Sequence, residues 1–270
     1  MTEPERSLVG TCRDWNATAA LRYALPVLVL VAWDVAARYR LVNSLFLPAP
    51  SEILASLWSM VVSGDLFPNL LATLQRLVLG FLCGSLTGTS LALLMIAFEP
   101  VGRALAAIID GFYAVPKVAF LPIIVIWLGI GETAKVALIA TGAFFPVLIN
   151  VHTGSKEVGL VLMRAATNLG ANRRQLLFRV VLPAVLPELF AGLKLGIGIA
   201  LTLTVYAEMI GVGSGVGFIT QNEAQLFHMS RAYGALVVLI VIAFSSQKLL
   251  LLIQRWACHW QHARNKTMVE

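Results

Sequence analysis

Residues Leu77 to Phe98 read LVLGFLCGSLTGTSLALLMIAF, an uncharged run. At a helical rise of about 1.5 Å per residue it crosses a hydrocarbon core of about 30 Å. No soluble fold needs such a segment. Hydrophobic residues make up 59% of the 270 and charged ones 13%, against about half and a quarter in soluble domains, so the rest of the chain is built for the same lipid solvent. Because lipid offers no water to backbone N–H and C=O groups, the spans are expected to be helices; the alternation of a membrane barrel is absent.

Further apolar segments lie near residues 24–40, 73–98, 104–128, 136–152, 186–209 and 232–253, which gives six spans. The third is interrupted by Asp110, Pro116, Lys117 and Pro122. Prolines in a span free backbone groups that a neighbour or a water-filled path must satisfy, so this segment is expected to line a cavity. The chain divides into a tail, first helix and outer amphipathic helix (1–72), a core of transmembrane helices (73–254) and a tail (255–270).

Six spans put both termini on one side, and charge selects it. Arg6, Arg13, Arg22, Arg103, Lys156, Arg164, Arg173, Arg174, Arg179, Arg255, Arg264 and Lys266 fall on that side, whereas the opposite loops hold Arg38, Arg40, Lys135 and Arg231. The basic excess belongs in the cytoplasm, so both termini are expected there and the net charge of +6 reports topology and contact with lipid, not nucleic acid. The N-terminus lacks a small-residue cleavage site, which favours an uncleaved first helix. On the outside, LPAPSEILASLWSMVVSGDLF (Leu47 to Phe67) has Ser51 as N-cap, Glu52 in the first turn, and Ile53, Leu54, Leu57, Trp58 and Val61 at helical spacing. That helix either lies on the interface or packs against the bundle.

Energy chemistry is missing. GIGETAKVA from Gly129 has neither the glycine spacing nor the hydroxyl of a phosphate loop, and GVGSGVG (Gly211 to Gly217) follows a span and reads as a flexible external turn. Cys12, Cys83 and Cys258 make neither a metal spacing nor a disulfide framework; His152, His228, His259 and His262 are not spaced for zinc, and no catalytic triad or carboxylate pair is identifiable. No metal, cofactor or catalytic residue is expected on this chain.

The segment Met163 to Glu188, MRAATNLGANRRQLLFRVVLPAVLPE, is different in kind: cationic and punctuated by glycine and proline. Helix formers run to Leu169, and Gly170 suits the left-handed position that ends a helix. Asn172 caps a second helix with a Leu176, Leu177 and Val180 stripe, which Leu182-Pro183 ends before Pro187 opens the fifth span. Composition alone fits a basic loop on anionic headgroups equally well; the spacing points to helix, turn, helix, membrane.

That spacing resembles the cytoplasmic motif of type I ABC importer permeases: Glu-Ala-Ala, three residues, Gly, nine residues, then Ile-x-Leu-Pro. Ala165, Ala166, Gly170, Val180, Leu182 and Pro183 fall on it, and Arg164 stands where the family has Glu. Further stretches from LPAPSEI at Leu47 to AEMIGVGSGVGF at Ala207, including Val115 to Val136, GAFFPVLIN at Gly142 and LPELFAGLKLGIG at Leu186, are similar to the nitrate/sulfonate/taurine/bicarbonate branch. The resemblance implies an all-α permease of the bacterial inner membrane, working as a dimer with two ATP-binding subunits and an external solute-binding protein. ATP and Mg would sit on the ATPase subunits, and residues 164–183 would dock there as the coupling helix. It also implies a small anionic cargo, with sulfonate or taurine ahead of nitrate or bicarbonate, and with aromatic acids and neutral heterocycles as alternatives.

Candidates for the translocation path are the polar residues stranded among apolar ones: Lys117, Trp127, Asn150, Thr204 and Glu208. Thr204 and Glu208 share a helical face, and Glu208 would repel an anion, so a gating or hydrogen-bonding role fits it better than ligation. Lys117 would supply positive potential, or else pair with Asp110 or snorkel. An ion-coupled secondary transporter is the rival class; its inverted repeat is not evident.

Overall fold

The computed structural model describes residues 14–43, 45–158, 160–210 and 213–259. The expected cationic positions Arg6, Arg13, Arg264 and Lys266, together with Cys12 and His262, lie outside these residues. All regular elements among those described are helical: α1 (Asp14–Arg38), α2 (Pro50–Val62), α3 (Leu66–Ala97), α4 (Glu99–Ala114), a 3-10 turn (Lys117–Phe120), α5 (Leu121–Leu128), α6 (Glu132–Glu157), α7 (Leu160–Asn168), α8 (Arg173–Gln175), a π segment (Leu176–Val181), α9 (Leu182–Ile210), α10 (Val216–Gln225) and α11 (Met229–Ala257). Four helical stretches are long and apolar enough to cross a bilayer unaided, Leu66–Ala97, Glu132–Lys156, Leu176–Ile210 and Met229–Ala257, and one bent pair makes a fifth. The remaining expected span, 24–40, overlaps α1, which is not among these stretches; it is 25 residues long and turns Leu25, Leu28 and Val31 outward.

The core is three helices, with α6 in the middle. Lipid tails are as apolar as leucine, so close packing between backbones has to replace the hydrophobic effect. Gly80, Gly84 and Gly88 recur every fourth residue on α3 and bring it against α6. A Cβ on Gly84 would collide with the Ala140 carbonyl, and one on Gly88 would stand 2.6 Å from the Phe144 carbonyl oxygen. The paired numbers rise together, so α3 and α6 run parallel. On the other side Gly192 faces Pro146 and Val147 while Gly196 faces Ala143, so α9 runs antiparallel to α6. Leu138, Ile139, Leu201, Leu203 and Val216 fill the core toward the Glu208 end, and Met95, Val147, Val151, Val181 and Val185 fill it toward the α7 end.

The third expected span is broken. Val115, forced extended by the proline that follows it (ψ 132°), and Pro116 (ψ 118°) separate α4 from Lys117–Leu128, and the two parts meet at a 98° bend. Ser51 is not the N-cap of α2. Ala49 holds that position because Pro50, lacking an N–H, fits the first helical residue, and Glu52 accepts from the Ala49 N–H at 3.4 Å. Ser51 instead donates its backbone N–H (3.0 Å) and hydroxyl (2.7 Å) to Asp34 of α1, which also pairs with Arg38 at 2.6 Å. α2 packs against the bundle: Ile53, Leu57 and Met60 turn inward, where Leu57 meets Gly234 of α11, while Leu54, Trp58 and Val61 face out.

Leu182-Pro183 does not end a helix. Pro183 has no N–H for the carbonyl four residues back, and the chain absorbs this by widening to π geometry just before it, with the Leu182 N–H donating to the Leu177 carbonyl. Leu176–Ile210 therefore continues as one rod of 35 residues.

Candidate functional site

At the α7 end, Gly170 has φ +82°; the Ala171 N–H donates to the Ala166 carbonyl (3.1 Å) and the Gly170 N–H to the Thr167 carbonyl (2.9 Å). This is the paired closure that a left-handed glycine permits. Asn172 and Gln175 then cap the next helix reciprocally, the Gln175 N–H donating to Asn172 Oδ1 at 2.8 Å and the Asn172 N–H to Gln175 Oε1 at 3.0 Å. Leu176, Leu177 and Val180 lie half-buried as the sequence stripe anticipates, and Leu182 and Pro183 join them at the start of α9. Arg164 and Ala165 are exposed, Ala166 is half-buried, and Leu169 is 88% exposed at the tip of the turn. The result is a rigid, cationic knuckle with an apolar point.

Midway along the bundle, α4, the 3-10 turn, α5 and α6 wall a hollow of about 520 Å³ whose lining includes Phe112, Phe120, Trp127, Thr141, Phe144 and Phe145. Its hydroxyls are already used: Thr141 donates to the Leu138 carbonyl at 2.6 Å and Thr87 to Cys83 at 2.7 Å. The expectation that the broken segment lines a cavity is met. Lys117 spends its three donors on the carbonyls of Phe112 (3.1 Å), Tyr113 (2.7 Å) and Val115 (2.8 Å), closing the C-terminal end of α4, and its ammonium sits 4.8 Å from the Phe145 ring centre. Trp127 is 79% exposed on the same wall. Of the five path candidates, Trp127 lines this hollow, and Lys117 sits over the Phe145 ring that also lines it. Asn150 donates to the Pro146 carbonyl at 2.8 Å on the face of α6 that meets Gly192, and Thr204, fully buried, donates to the Ala200 carbonyl at 2.8 Å.

Glu208 is the centre of a buried polar cluster at the opposite end from α7. Its side chain has 0% exposure and accepts from Arg76 Nη1 (2.8 Å), from the Thr73 hydroxyl (2.9 and 3.0 Å) and from the Gly217 N–H (2.9 Å). Arg76 also forks onto Glu132 (Nε 2.6 Å, Nη2 2.7 Å) and donates to the Ser214 carbonyl (2.6 Å) and hydroxyl (2.9 Å). Thr73 in turn accepts from the Val216 N–H at 2.8 Å, and Asn69 accepts from the Gly215 N–H at 2.7 Å.

The residues of the GVGSGVG stretch from Gly213 onward are consequently a fitted strap and not a free turn. Gly215 has φ +125°, and a Cβ there would collide with the Glu208 carboxyl. The sequence reading missed Arg76, Thr73, Asn69, Glu132 and Ser214. A signal for Arg76 existed: an ionisable residue one position before the uncharged run, three after Thr73 on the same helical face.

The site thus combines glycine-mediated helix contacts, a broken span around an apolar hollow and a helix-turn-helix knuckle at one end. The chain belongs to the family described as binding-protein-dependent transport system inner membrane component, whose model matches residues 80–257. It is 36% identical over 241 residues, covering 87% of each chain, to the taurine transport system permease protein TauC of Escherichia coli (strain K12). It is 31% identical over 240 residues, covering 88% of this chain and 90% of the other, to the riboflavin transport system permease protein RibX of Chloroflexus aurantiacus. Among solved structures, an inward-facing MetNI methionine ABC transporter shares the fold, with a TM-score of 0.63 at 21% identity over 71% of this chain and 95% of the other. The protein is an ABC importer permease.

Proposed function

We propose that this chain moves an organic sulfonate of taurine size inward across the bacterial cytoplasmic membrane by alternating access, as one half of a permease homodimer served by two ATP-binding subunits and an external solute-binding protein. The observation that carries the reading is the knuckle at 160–183. Arg164, Ala165 and Leu169 are presented outward on α7 and the turn that Gly170 closes, and the helix that follows that turn from Arg173 runs on into α9, a form suited to seating in a groove of a separate engine and passing its movement on. ATP and Mg bind on that partner, both termini lie in the cytoplasm with the knuckle, and the Glu208 end faces outward.

For the cargo, the greater identity to the taurine permease than to the riboflavin permease favours taurine itself. An anionic cargo is compatible with Glu208, because its carboxylate is buried and paired with Arg76. The test is competition in reconstituted vesicles: ATP-driven uptake of labelled taurine should be blocked by short alkanesulfonates and untouched by riboflavin. Uptake of riboflavin in preference to taurine would overturn the cargo assignment.

A further inference from the structure

Resting on the importer reading, we propose that Arg76 and Glu208 are a positioning pair. They bolt the Glu208 end of the bundle to α6 and α9, so that contact at that end and movement of α7 are transmitted to one another.

Arg76 stands where four segments converge. Its guanidinium is bonded to Glu132 at the first residue of α6, to Glu208 in the last turn of α9, and to Ser214 in the strap that leads into α10, while its own backbone belongs to α3. Thr73, one turn earlier on α3, ties the same strap to the same carboxylate through the Val216 N–H. Two of the helices so joined reach the far side of the membrane beside the knuckle. α6 ends at Glu157, and Leu176–Ile210 runs from Glu208 back to the helix capped by Asn172. Pulling on the strap therefore pulls on both rods that border α7.

Stability alone does not call for this cluster. A buried ion pair is commonly replaceable by apolar side chains at no loss, because desolvation offsets its attraction; what it does supply is a defined geometry. Here the geometry is over-determined, with five donor contacts from one planar guanidinium and two glycines, Gly215 and Gly217, at which a Cβ would run into the Glu208 carboxyl or the Val205 carbonyl. The cluster also opens to solvent on one side: Glu132 is 61% exposed and Gly213 is exposed, whereas Glu208 is sealed. A protein docked on this end would touch Glu132 or the strap and so bear directly on Arg76 without reaching Glu208.

The experiment uses the full complex in proteoliposomes: this chain, its ATPase subunits and the external binding protein with taurine, comparing wild type, Glu208→Gln, Arg76→Lys and Glu132→Gln. Two quantities are read, the stimulation of ATP hydrolysis by the loaded binding protein and the taurine accumulated per ATP. Glu208→Gln should lower taurine per ATP about tenfold while unstimulated hydrolysis stays at the wild-type rate. Arg76→Lys, which keeps charge but loses the fork, and Glu132→Gln should each lower stimulation about threefold. Assembled Glu132→Gln with wild-type stimulation and yield overturns the pair's role whether or not the Glu208 variant assembles, because Glu132 sits at an exposed position that tolerates the change. A wild-type complex that hydrolyses ATP yet moves no taurine overturns the cargo assignment instead, and the pair's role is then read from the stimulation of hydrolysis by the binding protein.

Discussion

Replacing Arg76 with methionine removes a guanidinium that is all but buried and leaves the Glu208 carboxylate, at 0% exposure, with only the Thr73 hydroxyl and the Gly217 N–H as donors. Breaking a buried ion pair from one side costs about 3–5 kcal/mol. At about 2–4 °C per kcal/mol for a chain of this size, the melting temperature in detergent should fall by roughly 6–20 °C. Glu208→Gln should cost less. The amide keeps an oxygen for Thr73 or Arg76, and Arg76 retains Glu132 and Ser214, so the loss is that of a single charge-assisted bond, about 1.5–3 kcal/mol. The double variant Arg76→Met/Glu208→Gln removes the uncompensated charge and should melt above Arg76→Met alone, giving a coupling energy of at least about 1 kcal/mol in the double-mutant cycle. Additive losses, or an Arg76→Met chain that melts within 2 °C of wild type (roughly 0.5–1 kcal/mol by the same conversion), would refute the reasoning.

Other consequences follow from the same contacts. Gly84→Leu drives a side chain into the Ala140 carbonyl and should cost about 1–3 kcal/mol or more in detergent unfolding, whereas Gly111→Ala, with nothing within 4 Å, should be neutral or slightly stabilising. Equal melting temperatures for the two would sink the close-packing account of α3 and α6. Lys117→Met releases the three carbonyls at the end of α4, so amide exchange across Lys117–Phe120 should accelerate about tenfold; unchanged protection would show that the corner does not depend on the ammonium. Arg164→Glu reverses an exposed charge on the knuckle and should weaken capture of the ATPase subunit about tenfold, a loss of about 1.4 kcal/mol; equal capture would remove Arg164 from the contact.

Local signals were legible in the sequence where the physics is local. Gly170 and Asn172 are read correctly because a left-handed C′ residue and a cap with its partner three positions on need no knowledge of the rest of the chain. Ser51 was misplaced for an equally local reason, since Pro50 at the first helical position moves the cap back to Ala49. Leu182-Pro183 misleads because proline forbids only the four-residue hydrogen bond, and a π turn avoids it without stopping the helix. Helix existence followed from apolar length, and the third span broke where prolines and Lys117 stood.

What sequence could not give was partnership at a distance. Glu208 is conspicuous by itself, but its cation lies 132 positions earlier, one residue outside an uncharged window, and the strap over it looks like any glycine-rich turn until its N–H groups are seen to point at the carboxylate. The same holds for Gly80, Gly84 and Gly88: their spacing marks a contact face, and only the structure says that the face is α6.

The measurement that bears most directly on the account is taurine accumulation by this chain in sealed vesicles, assembled with its ATPase subunits and supplied with the external binding protein. Accumulation should require ATP inside the cytoplasm-equivalent compartment, vanish when the ATPase subunit is omitted, and be indifferent to proton or sodium gradients. Gradient-driven accumulation without ATP would contradict it.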